Sequence, residues 1–354
     1  MPISAIDAIS PAFQHTKQQL LQPFRAAQWA KLALVGLLAG ELGGGSCNGG
    51  SFQMPSHPRG GQQFIDFPLP NTNPLLYASL IALLIVAGVV FWLLLLYVSS
   101  VMRFVLFDSV VAKNCQIRRS WGRRQGPGLR FFVWQLLFLF ATLVGLTVLV
   151  GIPAAIAFAA GWLQAPRQHL IPLILGGMLL FFVVMGFILL CLAVHVLTKD
   201  FVVPEMALEN VGAIEGWRRL LPKLTAEKGG YAGYIGMKIV MALGAAVLIG
   251  IVTFIVILIF LIPVGGVGVV AVLLGKTAAL TWNLYTITLA VVVGCVVLAV
   301  VLYVVSLVSV PAIVFFPAYS IYFFASRYPP LDGLLRPPVV APQFSPLQPP
   351  EPLA

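Results

Sequence analysis

Apolar residues in this chain come in long unbroken runs, separated by short polar stretches, and do not alternate with polar ones. The runs lie at 29–45, 75–98, 131–152, 171–196, 231–262 and 285–310. A bilayer crossing by an α-helix needs about 20 apolar residues, and barrel strands would alternate instead. The pattern therefore predicts an all-α polytopic membrane protein with six transmembrane helices inside residues 29–326. Residues 1–28 read as an amphipathic helix, with Phe13, Leu20, Leu21 and Phe24 on one side and His15, Lys17, Gln18 and Arg25 off it. Such a helix lies on the membrane surface or packs on the protein's own bundle. Residues 46–74 are rich in Gly, Pro, Asn and Ser and read as a loop. The Pro-rich residues 329–354 are expected to be disordered.

The polar stretches echo one another. Val105-Leu106-Phe107-Asp108 leads into Ile117 to Trp121 with Arg123 and Arg124. Val196 to Asp200 leads into Ile214 to Trp217 with Arg218 and Arg219. Each time an apolar run exits into an acidic residue, continues as a basic segment bearing a tryptophan, and re-enters an apolar run. Ile152-Pro153 and Ile262-Pro263 stand at matching points; the earlier helix is expected to continue past Pro153 toward Trp162 and the later one to end at Pro263. This predicts three tandem hairpin units, at roughly 1–98, 99–197 and 198–326, each with an amphipathic interfacial helix. The first run carries Gly36, Gly40 and Gly44, a four-residue spacing that lets a second helix approach closely.

Composition agrees with the bilayer reading. The chain is 60% hydrophobic and 9% charged, whereas soluble domains average about 25% charged residues. A net charge of +10 would point to nucleic acid in a soluble protein. Here, on the six-span layout, all but Arg59, Arg167 and Lys276 of the 21 Lys and Arg fall on one face. That bias places both termini in the cytoplasm of a prokaryotic inner membrane and needs no nucleic acid. The four cysteines are scattered without a metal or disulfide spacing. No cofactor or metal site is expected.

Few residues carry candidate chemistry. Glu41 at the end of the first run is either an acid at membrane depth or a residue of the outer interface, and the glycines after it favour the second. Asp108 and Asp200 bind an ion or head group, or cap the helix that follows. Pro204 and Glu205 suit a first helical turn and favour capping. His195, one turn before Asp200, is a candidate titratable partner for it. Trp121 with Arg118 and Arg119, and Trp217 with Arg218 and Arg219, fit an interface anchor: indole at head-group depth and guanidinium on lipid phosphate. Lys238, near the start of the fifth run, should snorkel to the cytoplasmic face.

Ala12-Phe13-x-x-Thr16 with Pro23-Phe24 and Trp29, Asp108 with Trp121, and Asp200-x-x-x-Pro204 with Trp217 together resemble a group of prokaryotic six-span proteins of unknown function. That group is similar to the membrane domain of glycerophosphoryl diester phosphodiesterases. The resemblance implies a membrane module; the catalytic domain has no counterpart here. The expected function is a non-enzymatic module that organises lipids of the anionic inner leaflet, a membrane-protein partner or further copies of itself. The competing expectation is a transporter or channel for a lipid-like or small apolar solute, with Thr142, Thr147, Thr253 or Asn283 lining its path.

Overall fold

The computed structural model describes residues 3–41, 74–162, 168–277 and 284–336. Among them the fold is all-helical, with no strand. The helices are α1 (Ile9–Leu21), α2 (Ala26–Leu38), α3 (Pro74–Val111), α4 (Ile117–Ala159), α5 (Leu170–Leu197), α6 (Val203–Glu209), α7 (Ala213–Ala226), α8 (Lys228–Thr277), α9 (Leu284–Ala325) and α10 (Pro329–Leu335). A π-helical turn, Thr198–Val202, joins α5 to α6.

Five stretches are long and apolar enough to cross a bilayer: Ile81–Val111, Ile117–Ala159, Leu170–Glu209, Lys228–Ile259 and Val291–Ala325. The protein is membrane-embedded on that ground. The expected first crossing at 29–45 is the exception. Its helix, α2, has 13 residues, so it is about 20 Å long and falls short of a hydrocarbon core of about 30 Å. Residues 42–73, which include Gly44, lie outside the described residues.

Three further expectations are corrected. α8 does not stop at Pro263 but runs on to Thr277, just as α4 passes Pro127 and, as expected, Pro153. A proline removes one helical hydrogen bond, yet in lipid the alternative is to leave several backbone groups unpaired, so the helix resumes. The basic segment 108–130 is not a separate surface helix. α3 continues through Asp108 to Val111, and most of the segment forms the first turns of α4. The tail is not disordered from 329, because Pro329–Leu335 form α10 and Leu331 is buried beneath it.

The packed core sits at one end of the bundle. Phe104, Val105 and Val110 of α3, Phe201 and Val202 of the π-helical turn, Met206 of α6, Leu220 of α7 and Tyr319, Phe323 and Phe324 of α9 are all buried there. The apolar stretches beyond that end face outward: Leu83, Phe91, Phe140, Leu179 and Leu248 are exposed on the chain. Lipid is the solvent that suits such surfaces.

α1 packs by an unexpected face. Ala12, His15, Thr16, Gln19 and Leu20 turn inward, while Phe13 (63% exposed), Leu21 and Phe24 turn outward. Inside, hydrogen bonds justify the polar residues: Gln19 Nε2 donates to the Ser109 carbonyl at 2.9 Å and Thr16 Oγ1 to that of Ala12 at 2.8 Å. His15 lies 2.9 Å by Nε2 from the Val110 carbonyl and 3.2 Å by Nδ1 from the Tyr322 hydroxyl. A carbonyl only accepts, so Nε2 carries the proton and Nδ1 accepts from Tyr322.

The glycine stripe works at one position. A Cβ on Gly36 would lie 2.6 Å from Ile313 Cδ1, so α2 meets α9 at van der Waals distance only because this residue has no side chain. Gly40 lies past the helix, with φ +76°, a left-handed turn rather than a packing step.

Two outcomes follow for the full chain in detergent. Gly36→Ala lowers stability by about 1–3 kcal/mol through overpacking, whereas Gly88→Ala, which meets nothing within 4 Å, is neutral or stabilising; thermal unfolding distinguishes them. Burial holds the His15 pKa below its ordinary 6.5, with Lys113 adding to the effect and the Val110 and Gln19 hydrogen bonds opposing it. The unfolded chain then binds this proton more readily than the folded one. The stability that His15 contributes is complete above pH 6.5 and is lost as pH falls below it. His15→Gln should remove that component of the acid slope.

Candidate functional site

The sequence assigns Arg103, Lys199 and Lys238 to basic cytoplasmic segments. The structure buries all three at the packed end, beside two carboxylates. Adjacent residues on a helix point about 100° apart and do not face each other. Lys199 and Asp200, consecutive in the π-helical turn, therefore reach different elements. Lys199 Nζ donates to Glu41 Oε2, just past α2. Asp200, 4% exposed, accepts from the Tyr234 hydroxyl at 3.0 Å and from Lys238 Nζ, both on α8. Tyr234 and Lys238 are one helical turn apart, which places them on the same face of α8. Lys238 is paired inside the protein and does not snorkel.

Arg103 completes the group from α3. Its guanidinium lies 5.3 Å from the centre of the Phe131 ring. Its hydrogen bond from Nη2 to the Ala39 carbonyl is long at 3.5 Å. Glu41, Arg103, Lys199, Asp200 and Lys238 line a small cavity of about 30 Å³ with Phe316, Ser320 and Ile321 of α9 on its wall. Glu41 is thus no residue of the outer interface. It shares one buried pocket with groups expected on the cytoplasmic side.

Two neighbouring carboxylates are also buried. Asp108 does not cap a surface helix; it takes a two-pronged contact from Arg124, Nε to Oδ2 at 2.9 Å and Nη2 to Oδ1 at 2.6 Å, and a third bond from Arg123 at 3.0 Å. Glu205 does stand in the first turn of α6 after Pro204, but its carboxylate is buried and pairs with Lys223 Nζ at 2.7 Å. Lys223 also sits over the Phe324 and Tyr328 rings.

The remaining candidates divide. Trp217 spends its indole N–H on Thr198 Oγ1 at 2.9 Å, and Trp121 packs edge-on against Tyr97; both fasten helix ends to the core. Arg118, Arg119 and Arg218 are exposed. Arg219 is held by Glu209 and by Glu215, the latter at 3.1 Å. His195 is half-buried and does not pair with Asp200, whose partners are Tyr234 and Lys238. Among the described residues no group of three or more His, Cys, Asp or Glu is placed to hold a metal.

Sequence reasoning missed Arg103, Lys199, Lys238 and Tyr234 as site residues. One signal was available: Arg103 interrupts the apolar run Val101 to Phe107, and a charge inside such a run generally faces protein or a cavity. The other pairings depend on which helices meet.

Removing one partner of a buried pair leaves an uncompensated charge, at about 3–5 kcal/mol. Asp200→Asn should therefore destabilise by that much, and Asp200→Asn with Lys238→Met should cost less than the sum of the two single changes. Thermal unfolding of the two single variants and the double variant measures the coupling.

No curated protein and no solved structure matches the chain. None of the comparisons links it to the membrane domains of glycerophosphoryl diester phosphodiesterases, and the short motifs behind that likeness fall largely on residues with packing roles, such as Ala12, Thr16, Asp108 and Trp217. A family described as "Family of unknown function (DUF7544)" matches residues 3–334, nearly the whole chain, and the protein belongs to that family.

Proposed function

We propose that this chain is a non-enzymatic membrane module that organises anionic lipids at the cytoplasmic face of a prokaryotic inner membrane. The observation that carries the reading is the outward face of α7. Ile214, Arg218 and Leu221 recur there at four- and three-residue steps and are all exposed, while Ala213, Gly216 and Leu220 hold the opposite face in the core. Apolar side chains beside a guanidinium on one exposed face suit the boundary between head groups and acyl chains. α1 adds Phe13 and Leu21, the segment after it Phe24, and the start of α4 adds Arg118 and Arg119.

The same reading keeps six crossings in three hairpin units, with both termini cytoplasmic. Supporting an even number, the ends of the described chain meet: Ile3 N donates to Ser326 Oγ at 3.2 Å, and Arg327 Nη1 donates to the Ile3 carbonyl at 3.2 Å. Five long helices alone would leave those ends on opposite faces. Glu41 lies at the cavity with Arg103, whereas Pro74 lies about 44 Å further up α3 at 1.5 Å per residue. The crossing expected at 29–45 is the one that this reading adds to the five. A transporter would need a polar path. Thr142 and Thr147, expected on it, donate to carbonyls of their own helix, each at 2.8 Å. Asn283 lies outside the described residues.

The test is lipid selection by the full chain in nanodiscs of mixed phosphatidylglycerol and phosphatidylcholine, read by native mass spectrometry of retained lipid. A surface cation contributes about 1 kcal/mol of attraction to an anionic leaflet. Neutralising Arg118, Arg119 and Arg218 together should therefore lower the enrichment of phosphatidylglycerol about tenfold or more, while Arg219→Gln has a smaller effect because Glu209 and Glu215 already hold that side chain. Unchanged enrichment in the triple variant would overturn the reading.

A further inference from the structure

We propose that the cavity at Arg103 is a binding site for a phosphate monoester group, that is, a phosphate retaining an ionisable O–H. Lys199 pairs with Glu41 and Lys238 with Asp200, whereas among the described residues Arg103 has no carboxylate partner. The pocket therefore holds three cations against two anions. Arg103 is 9% exposed. A buried unpaired charge is strongly unfavourable, and the ordinary remedy is a counter-charge.

Hydrogen bonding defines that counter-charge more closely. Among the described residues, the buried Nε and Nη1 of Arg103 meet no hydrogen-bond partner. They lie on different edges of the planar guanidinium, so the missing group must bring acceptor oxygens to more than one side of it. Glu41 Oε1 is likewise buried with no partner among the described residues, and an ionised carboxylate only accepts. The missing group must thus bring oxygen acceptors to Arg103 and an O–H donor to Glu41. A phosphate monoester or hydrogen phosphate offers both. A phosphodiester, as in phosphatidylglycerol, has no O–H on phosphorus. The rest of the wall is largely apolar, with Leu106, Phe107, Val203 and Ile321 among its residues, which suits the glycerol and acyl root of a lipid.

The site does not rest on the surface-collar reading, because Arg118, Arg119 and Arg218 take no part in it. The two stand or fall by different variants.

The experiment uses the full chain, delipidated in detergent, with thermal unfolding and native mass spectrometry as readouts. The probes are dioleoyl phosphatidic acid, dioleoyl phosphatidylglycerol and sodium phosphate matched in ionic strength with sodium chloride. Phosphatidic acid should raise the unfolding temperature by several degrees and stay bound as one copy, with phosphatidylglycerol much weaker. A comparable shift with inorganic phosphate alone identifies free phosphate as the source; a shift confined to phosphatidic acid identifies a lipid. Arg103→Lys keeps the charge and so guards against simple unfolding, but it loses the fixed donors of the guanidinium plane and should weaken binding about tenfold or more. Glu41→Gln should narrow the preference for phosphatidic acid over phosphatidylglycerol. Arg118→Gln with Arg119→Gln should leave it intact. The proposal is overturned if neither phosphatidic acid nor phosphate binds the parent chain, which would mean that water fills the cavity. It is equally overturned if Arg103→Lys and Glu41→Gln both bind as the parent does.

Discussion

A carboxylate and an ammonium on consecutive residues cannot neutralise each other across a helix, and the packed end of this protein is built on that restriction. Lys199 and Asp200 occupy the π-helical turn between α5 and α6, and each must find its counter-charge elsewhere. Lys199 takes Glu41 beyond α2, while Asp200 takes Lys238 and Tyr234 from α8. Two elements distant in sequence are thereby tied to one turn. Misplacing either would leave a bare charge in a low-dielectric interior, so the ion pairs specify the arrangement more than they stabilise it.

Around that turn the packing changes character. Aromatic rings of the turn, α8 and α9 interlock: Phe201 meets Tyr231, Tyr234, Phe323 and Phe324 at centroid distances of 5.1–6.0 Å. Away from it the helices present apolar side chains outward, with close contacts such as Gly145 against Phe187 between α4 and α5. Lipid tails are as apolar as leucine, so nothing drives those stretches to bury one another. Specific geometry concentrates where water, head groups and buried charge meet, and both proposed lipid contacts lie there.

The two echoing segments show how one pattern is resolved in two ways. Asp108 is closed off by arginines from α4, the next helix in the chain, and a two-pronged contact leaves it little capacity for anything else. Asp200 draws on α8 and shares its pocket with Arg103 and Glu41, whose polar atoms are not all used. The first arrangement closes a joint between helices. The second leaves a cavity with a surplus positive charge. Similar letters therefore carry different work, because α4 continues its basic segment straight into the span whereas α7 and α8 break at Glu227.

Sequence by itself determined the class of protein and most of its crossings. Runs such as 171–196 have no soluble explanation, and their hydrogen bonds must close within a helix, so local pattern suffices. It also marked Arg118, Arg119 and Arg218 as surface residues, whose exposure follows from charge beside an apolar run. It did not reveal that α8 passes Pro263, that α1 turns His15 and Gln19 inward, or that Pro329–Leu335 fold. Those outcomes depend on neighbours able to satisfy or cover what the local sequence leaves open. Only the tertiary structure brought Glu41, Arg103, Asp200 and Lys238 into one pocket. A buried charge is tolerated only beside its partner, and which helices supply the partners is a property of their packing, invisible in any single run of residues.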